Sequence, residues 1–153
     1  MGYEADVSDL GVRIAADESA HSDKDAEKRI QMGYGAIALK PIAKTMSMSL
    51  KILKVAYEAE VPCFCADLTV TPILVDWNKN VAARIAPLPG MSIGVLETNG
   101  HQNYKRWKDL LRFHPCYGAE WVKTKDGLFN LDNDFYNQSG GVLKISEHYQ
   151  ELV

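Results

Sequence analysis

Four times between residues 11 and 114, a short β-rich run gives way to a longer stretch with helical spacing, and that alternation limits the fold more than any single residue. The β-rich runs are residues 11–17, 36–40, 62–68 and 91–97. Their starts, near positions 12, 36, 62 and 91, mark units of about 24 to 29 residues. The first helical stretch opens at Ser22, where a serine cap and the early acids Asp23 and Asp25 suit a helix start. The second is expected from about Ser47 to Glu60, with Leu50, Leu53, Tyr57 and Val61 on one stripe. Pro72 opens the third, which aligns Ile73, Trp77, Val81 and Ile85. The fourth is expected from about Asn103 to His114, packing Trp107, Leu110, Leu111 and His114 on one side. Repeated βα units imply parallel strands joined by right-handed crossovers. Beyond Pro115 the rhythm stops, so residues 1–114 are expected to form one body of βα units and residues 115–153 a tail. That tail carries Trp121, Phe129 and Phe135, too much aromatic surface to leave in water, and is expected to lie against another surface.

Charge narrows the partners. With 17 Lys+Arg against 20 Asp+Glu, the net charge of −3 repels phosphate polyanions, and no basic tract offsets it, so neither nucleic acid nor an anionic membrane is expected. No apolar run approaches the roughly 18 residues that cross a bilayer, and the start lacks the order of a signal peptide. A cytoplasmic location is expected. Three cysteines, two of them as Cys63-Phe64-Cys65, are too few and too oddly spaced for a disulfide scaffold or a metal finger, and are expected as buried thiols.

In parallel α/β folds, reactive groups gather where strands end, because the sheet holds the backbone rigid while the side chain faces a crevice. Each run here ends in an ionisable residue: Asp17, Lys40, Asp67 and Glu97. Alternation puts Arg13, Ala15 and Asp17 on one side of their run, and Cys63, Cys65 and Asp67 on one side of theirs. Carboxylates without Cys or His suit a hard cation such as Mg²⁺. A lysine amine in positive, buried surroundings has a lowered pKa and serves as a base near neutrality. Together these groups suit removal of a proton next to a carboxylate, with the enolate stabilised as it forms.

Ala16-Asp17-Glu18-Ser19 at one strand end, followed by residues 37–44 (IALKPIAK) at the next, resembles the C-terminal barrel of the enolase superfamily, in its mandelate racemase and muconate lactonising branch. The resemblance runs from about Gly11 to His114 and implies that residues 1–114 are a partial (β/α) barrel, strands five to eight and so the second half of a (β/α)₈ fold, with the tail of residues 115–153 packing on the missing cap or barrel half. It implies Asp17 as a carboxylate ligand of Mg²⁺, Lys40 as the acid/base lysine and Glu97 as the acid near the substrate's carboxylate. Glu18 is expected to point away from Asp17, supporting the site from behind or serving as a helix-entry acid. Lys44 is the alternative to Lys40, since Lys44-Thr45-Met46-Ser47 replaces the family's Gly-Gly turn. Asp67 stands near the place of a racemase histidine, and His101 is either recruited to the fourth strand end or a solvated loop residue.

A complete barrel takes about 250 residues, so this sequence is expected to be a fragment of a longer enzyme, with Met1 an internal start or a truncation, inactive by itself. The parent is expected to be a homo-oligomer acting on a small carboxylate as a racemase or epimerase, a dehydratase or a cycloisomerase. Two alternatives need no missing half: a doubly wound, flavodoxin-like binding domain, and a non-catalytic half-barrel that dimerises through its open edges.

Overall fold

A computed structural model describes residues 5–66 and 69–153. Four parallel strands, β1 (Ala15–Ala16), β2 (Ala36–Leu39), β3 (Cys63–Ala66) and β4 (Leu96–Glu97), lie side by side in chain order. They are joined by helices α1 (Asp23–Gln31), α2 (Met46–Glu58) and α3 (Pro72–Ala82). This is the arc of half a (β/α)₈ barrel. A doubly wound domain is excluded, because its strand order reverses at a switch point and its helices cover both faces. Here the order runs β1-β2-β3-β4 without reversal, and Ala26 of α1, Ile52 and Ala56 of α2, and Val81 and Ala82 of α3 all join one core with Ala16, Ile37, Leu39, Cys63 and Cys65.

The local rules explain the first three helices. Ser22 Oγ accepts from the Asp25 backbone N–H and opens α1, with Asp23 and Asp25 in the first turn and Lys28 and Arg29 in the last, matching the helix dipole. Thr45 Oγ1 accepts from the Met48 N–H and caps α2. Pro72 sits in the first turn of α3, where its missing N–H costs nothing.

The outer strands are shorter than expected. Ala15 pairs with Ala36, the first residue of β2, so residues 11–14 have no β2 partner beyond one bond from the Gly35 N–H to the Ile14 carbonyl. In the last strand, pairing reaches back only to the Val95 carbonyl, which accepts from Cys65. Just before it, the chain abuts the end of α3 so closely that a Cβ on Gly94 would lie 1.9 Å from the Ala82 carbonyl oxygen.

Three helices also differ. Of the stripe expected on α3 only Val81 is buried, while Ile73, Trp77 and Ile85 are half-buried. The buried residues of α2 are Ser49, Ile52 and Ala56, while Leu50 and Tyr57 of the expected stripe are exposed. Small side chains let the helix lie close on the sheet, and the large ones are turned outward. The fourth expected helix is split into α4 (Gly100–Asn103) and α5 (Trp107–Arg112), because Tyr104 adopts extended backbone angles.

The tail returns to α3. A hairpin of β5 (Thr124–Lys125) and β6 (Leu128–Phe129), then α6 (Asn133–Gln138) and α7 (Glu147–Gln150), follow a 3₁₀ turn at Glu120–Val122. Trp121, Val122 and Phe135 are buried together, with Ala83 of α3 and Leu111 of α5 against them. No helix among the described residues is long and apolar enough to cross a membrane.

Burial makes the β3 thiols sensitive to alkali. Desolvation pushes Cys63 up to about 12, and desolvation with the neighbouring Cys63 does the same to Cys65. An unfolded thiol ionises near about 8.5, so between that pH and about 12 the unfolded chain binds fewer protons than the folded one, and stability falls as pH rises. The two thiols together are expected to remove about 3 kcal/mol per pH unit in that window. Denaturation of the wild type and a Cys63→Ala/Cys65→Ala variant between pH 8 and 11 checks this: the variant's stability should fall less steeply, and equal slopes would contradict it.

Candidate active site

Asp17 and Glu18 follow β1 directly, and Lys40 follows β2 directly. Since Leu39 belongs to the helix-facing core, the next residue, Lys40, lies on the opposite face. Register carries that face across the sheet. Leu39 pairs with Cys65 and Cys65 with Leu96, so Lys40, Ala66 and Glu97 form the next row, on the side away from the helices. Ala16 likewise belongs to the helix-facing core, which turns Asp17 to the same side as Lys40.

The Lys40 side chain is 6% exposed, with its Nζ 2.8 Å from Asp17 Oδ1 and 2.7 Å from Glu18 Oε1. Glu18 therefore corrects the expectation that it turns away from Asp17. β1 ends at Ala16 and Asp17 follows it directly, but Glu18 lies in the turn beyond, where strand alternation no longer applies. The expected lowering of the Lys40 pKa is also reversed. Burial pulls its ammonium down, but the hydrogen bonds and charges of Asp17 and Glu18 outweigh burial and hold it above the usual lysine value.

Lys44 is the lysine whose pKa is lowered, by burial and then by the charge of Lys40. Its Nζ donates to the Ala20 carbonyl at 2.6 Å. The two lysines thus occupy one site in different states, one clasped by carboxylates and one held by a backbone oxygen.

The other candidates do not join this cluster. Glu97 is exposed and lies two strands from Lys40, about 10 Å across the sheet. His101, in α4, is exposed and lines a cavity between α3 and α5. Asp67 lies outside the described residues. Cys63 and Cys65 face the helices, the side opposite Lys40.

Asp17 and Glu18 supply hard oxygen donors of the kind Mg²⁺ takes, and both face solvent on one side, at 50% and 72% side-chain exposure. In kind they fit the ion; in number they fall short. Among the described residues no group of three Asp, Glu, His or Cys side chains is placed to hold a metal, and the Lys40 ammonium already lies between the two carboxylates.

A second polar cluster was not legible from the sequence, where Asp76, Asn78 and Lys79 would be taken for the wet side of α3. All three are buried. Asp76 is paired through Oδ1 with Lys79 and lies 2.5 Å through Oδ2 from His114 Nε2. Asn78 donates to the Ala66 carbonyl at 3.4 Å, tying α3 to the end of β3. The one available signal was His114, placed on the packing side of its helix.

No family model matches the chain, and no curated protein matches it. Among solved structures, the fold is similar to that of a mandelate racemase/muconate lactonizing protein from Herpetosiphon aurantiacus, with 21% sequence identity and a TM-score of 0.53. The match covers 63% of this chain and 27% of that one, so this chain spans about a quarter of that protein's length.

Proposed function

We propose that this chain is the lysine-bearing part of a (β/α)₈ enzyme of the mandelate racemase/muconate lactonising type, which removes or returns a proton α to the carboxylate of a small organic acid. The observation that carries the reading is the buried Lys40 ammonium, held 2.8 and 2.7 Å from Asp17 and Glu18 at neighbouring strand ends, on the face opposite the helix-packed core. The fold likeness supports the same direction.

In this reading Lys40 Nζ is the atom that gives a proton to the substrate carbon or takes one from it. Asp17 and Glu18 fix its position, and the buried stem excludes water from its approach. Glu97, on the same face two strands away, stands where it can meet the substrate's carboxylate. Asp17, together with carboxylates of the completed barrel, would hold Mg²⁺, and the ion would supply positive charge beside the substrate's carboxylate. Racemisation or epimerisation, dehydration and cycloisomerisation all share this proton step. Lys44 is the second reading for the acid/base, favoured by its lowered pKa.

One consequence concerns this chain alone. With two carboxylates engaged by an ammonium and no third ligand among the described residues, it is expected to bind Mg²⁺ with a Kd weaker than about 1 mM. Titration calorimetry on the 153-residue chain checks this, and micromolar binding would contradict it. In the completed barrel, Asp17→Asn should raise the Mg²⁺ concentration needed for α-proton exchange; unchanged metal dependence removes Asp17 as a ligand.

A further inference from the structure

The tail does more than cover α3. Between α3, α5 and the β5–β6 hairpin lies a cavity of about 540 Å³, in the size range of small-molecule sites. Its charge is one-sided. Lys79, Lys108, Arg112 and Lys123 line it together with His101, and among the described residues no Asp or Glu does. In a chain of net charge −3 this is a local reversal of sign.

The four cations differ in what they are free to do. Lys79 is 3% exposed and already paired with Asp76; its Nζ also donates to the Trp121 carbonyl at 2.6 Å and sits 3.8 Å from the centre of the Phe129 ring. It is a fixed part of the floor, holding the hairpin in place. Lys108 and Arg112 are exposed, one helical turn apart on α5, and so share a face of that helix. Lys123 comes from the opposite wall, between the 3₁₀ turn and β5. Among the described residues none of these three has an ion-pair or hydrogen-bond partner, although the Arg112 charge also acts on Asp109, which Arg106 holds.

Apart from Thr98 and Thr124, the remaining lining is apolar or aromatic, with Trp107, Tyr117 and Phe129 as its rings. Like charges gathered against low-dielectric walls focus an attractive field on an anion. Arginine offers two parallel donors that match a phosphoryl group. An apolar body would lie against the rings. We infer that this cavity is a binding site for a small organic phosphate monoester with a flat apolar body, separate from the Asp17-Lys40 cluster and independent of what that cluster does.

Phenyl phosphate is the probe, titrated into the full 153-residue chain by calorimetry beside inorganic phosphate and phenol. Phenyl phosphate should bind with a Kd of about 1 mM or tighter, phosphate more weakly and phenol most weakly. Arg112→Gln and Lys123→Gln should each weaken binding about fivefold or more, the loss of one charge-assisted contact. Both side chains are exposed and unpartnered, so the fold should survive, which circular dichroism checks. Lys51→Gln, exposed on α2, should change nothing. Absence of binding up to about 10 mM, phenol or phosphate binding as tightly as phenyl phosphate, or affinities unmoved by Arg112→Gln and Lys123→Gln would each overturn the inference.

Discussion

Replacing Lys40 with alanine in the completed barrel should reduce exchange of the substrate's α-proton with deuterated solvent by about 10²–10⁴-fold, the usual contribution of a positioned acid/base group. The expectation follows from placement. Lys40 is the buried ammonium on the face opposite the helix-packed core, and its two carboxylate contacts fix Nζ in one position. Removing it also leaves Asp17 and Glu18 without their shared counter-charge, so the milder Lys40→Gln belongs beside the alanine variant. Both should lose the exchange while Mg²⁺ affinity is kept or rises, since the ammonium no longer competes for Asp17 and Glu18, which separates a lost proton carrier from a lost metal site. Lys44→Ala should retain most of the exchange, since Lys44 is held by the Ala20 carbonyl. Should Lys44→Ala abolish exchange and Lys40→Ala spare it, the roles are reversed and the lowered pKa of Lys44 is the feature that matters.

Asp76→Ala should destabilise the chain by about 3–5 kcal/mol, the cost of removing one partner from a buried ion pair. Asp76 is 1% exposed and answers two groups at once. Lys79 lies at one oxygen and His114 Nε2 at the other. His114 Nδ1 accepts from the Cys116 N–H at 3.0 Å, so its proton is on Nε2 and points at Asp76. Lys79 then reaches the Trp121 carbonyl. Through this one carboxylate α3 holds the turn after α5, the 3₁₀ turn and the hairpin. Burial lowers the Lys79 pKa while Asp76 opposes it, so without Asp76 the buried ammonium keeps the Trp121 carbonyl and the Phe129 ring but loses its carboxylate counter-charge. An Asp76→Asn/Lys79→Met double variant should recover a good part of the loss, because it leaves no unpaired buried charge. Urea denaturation measures both, and a loss under about 1 kcal/mol for Asp76→Ala would mean that the network is incidental.

The βα rhythm was legible because a buried parallel strand and an amphipathic helix have different periods, and Pro41, Pro72 and Gly33 punctuate the changes. The meeting of Asp17 with Lys40 was legible for the same reason: parity on adjacent parallel strands decides which residues share a face. Glu18 was not, since parity ends with the strand and a turn residue can reach back. The buried side of α2 was misjudged because hydropathy favours Leu50 and Tyr57, whereas close packing on a sheet favours Ser49 and Ala56. Asp76 and Lys79 look like a solvated i, i+3 pair on α3, and only the returning tail makes them interior. No local pattern announces a contact 42 residues away.

Zero-length carbodiimide coupling followed by peptide mass spectrometry reads the central geometry directly, because it joins only amines and carboxylates already in contact. The account predicts an amide between Lys40 and Asp17 or Glu18, formed alongside the exposed Lys54–Glu58 link that serves as the internal control. Recovery of the control link with Lys40 unjoined to either carboxylate would contradict the shared mouth on which the proposed proton transfer stands.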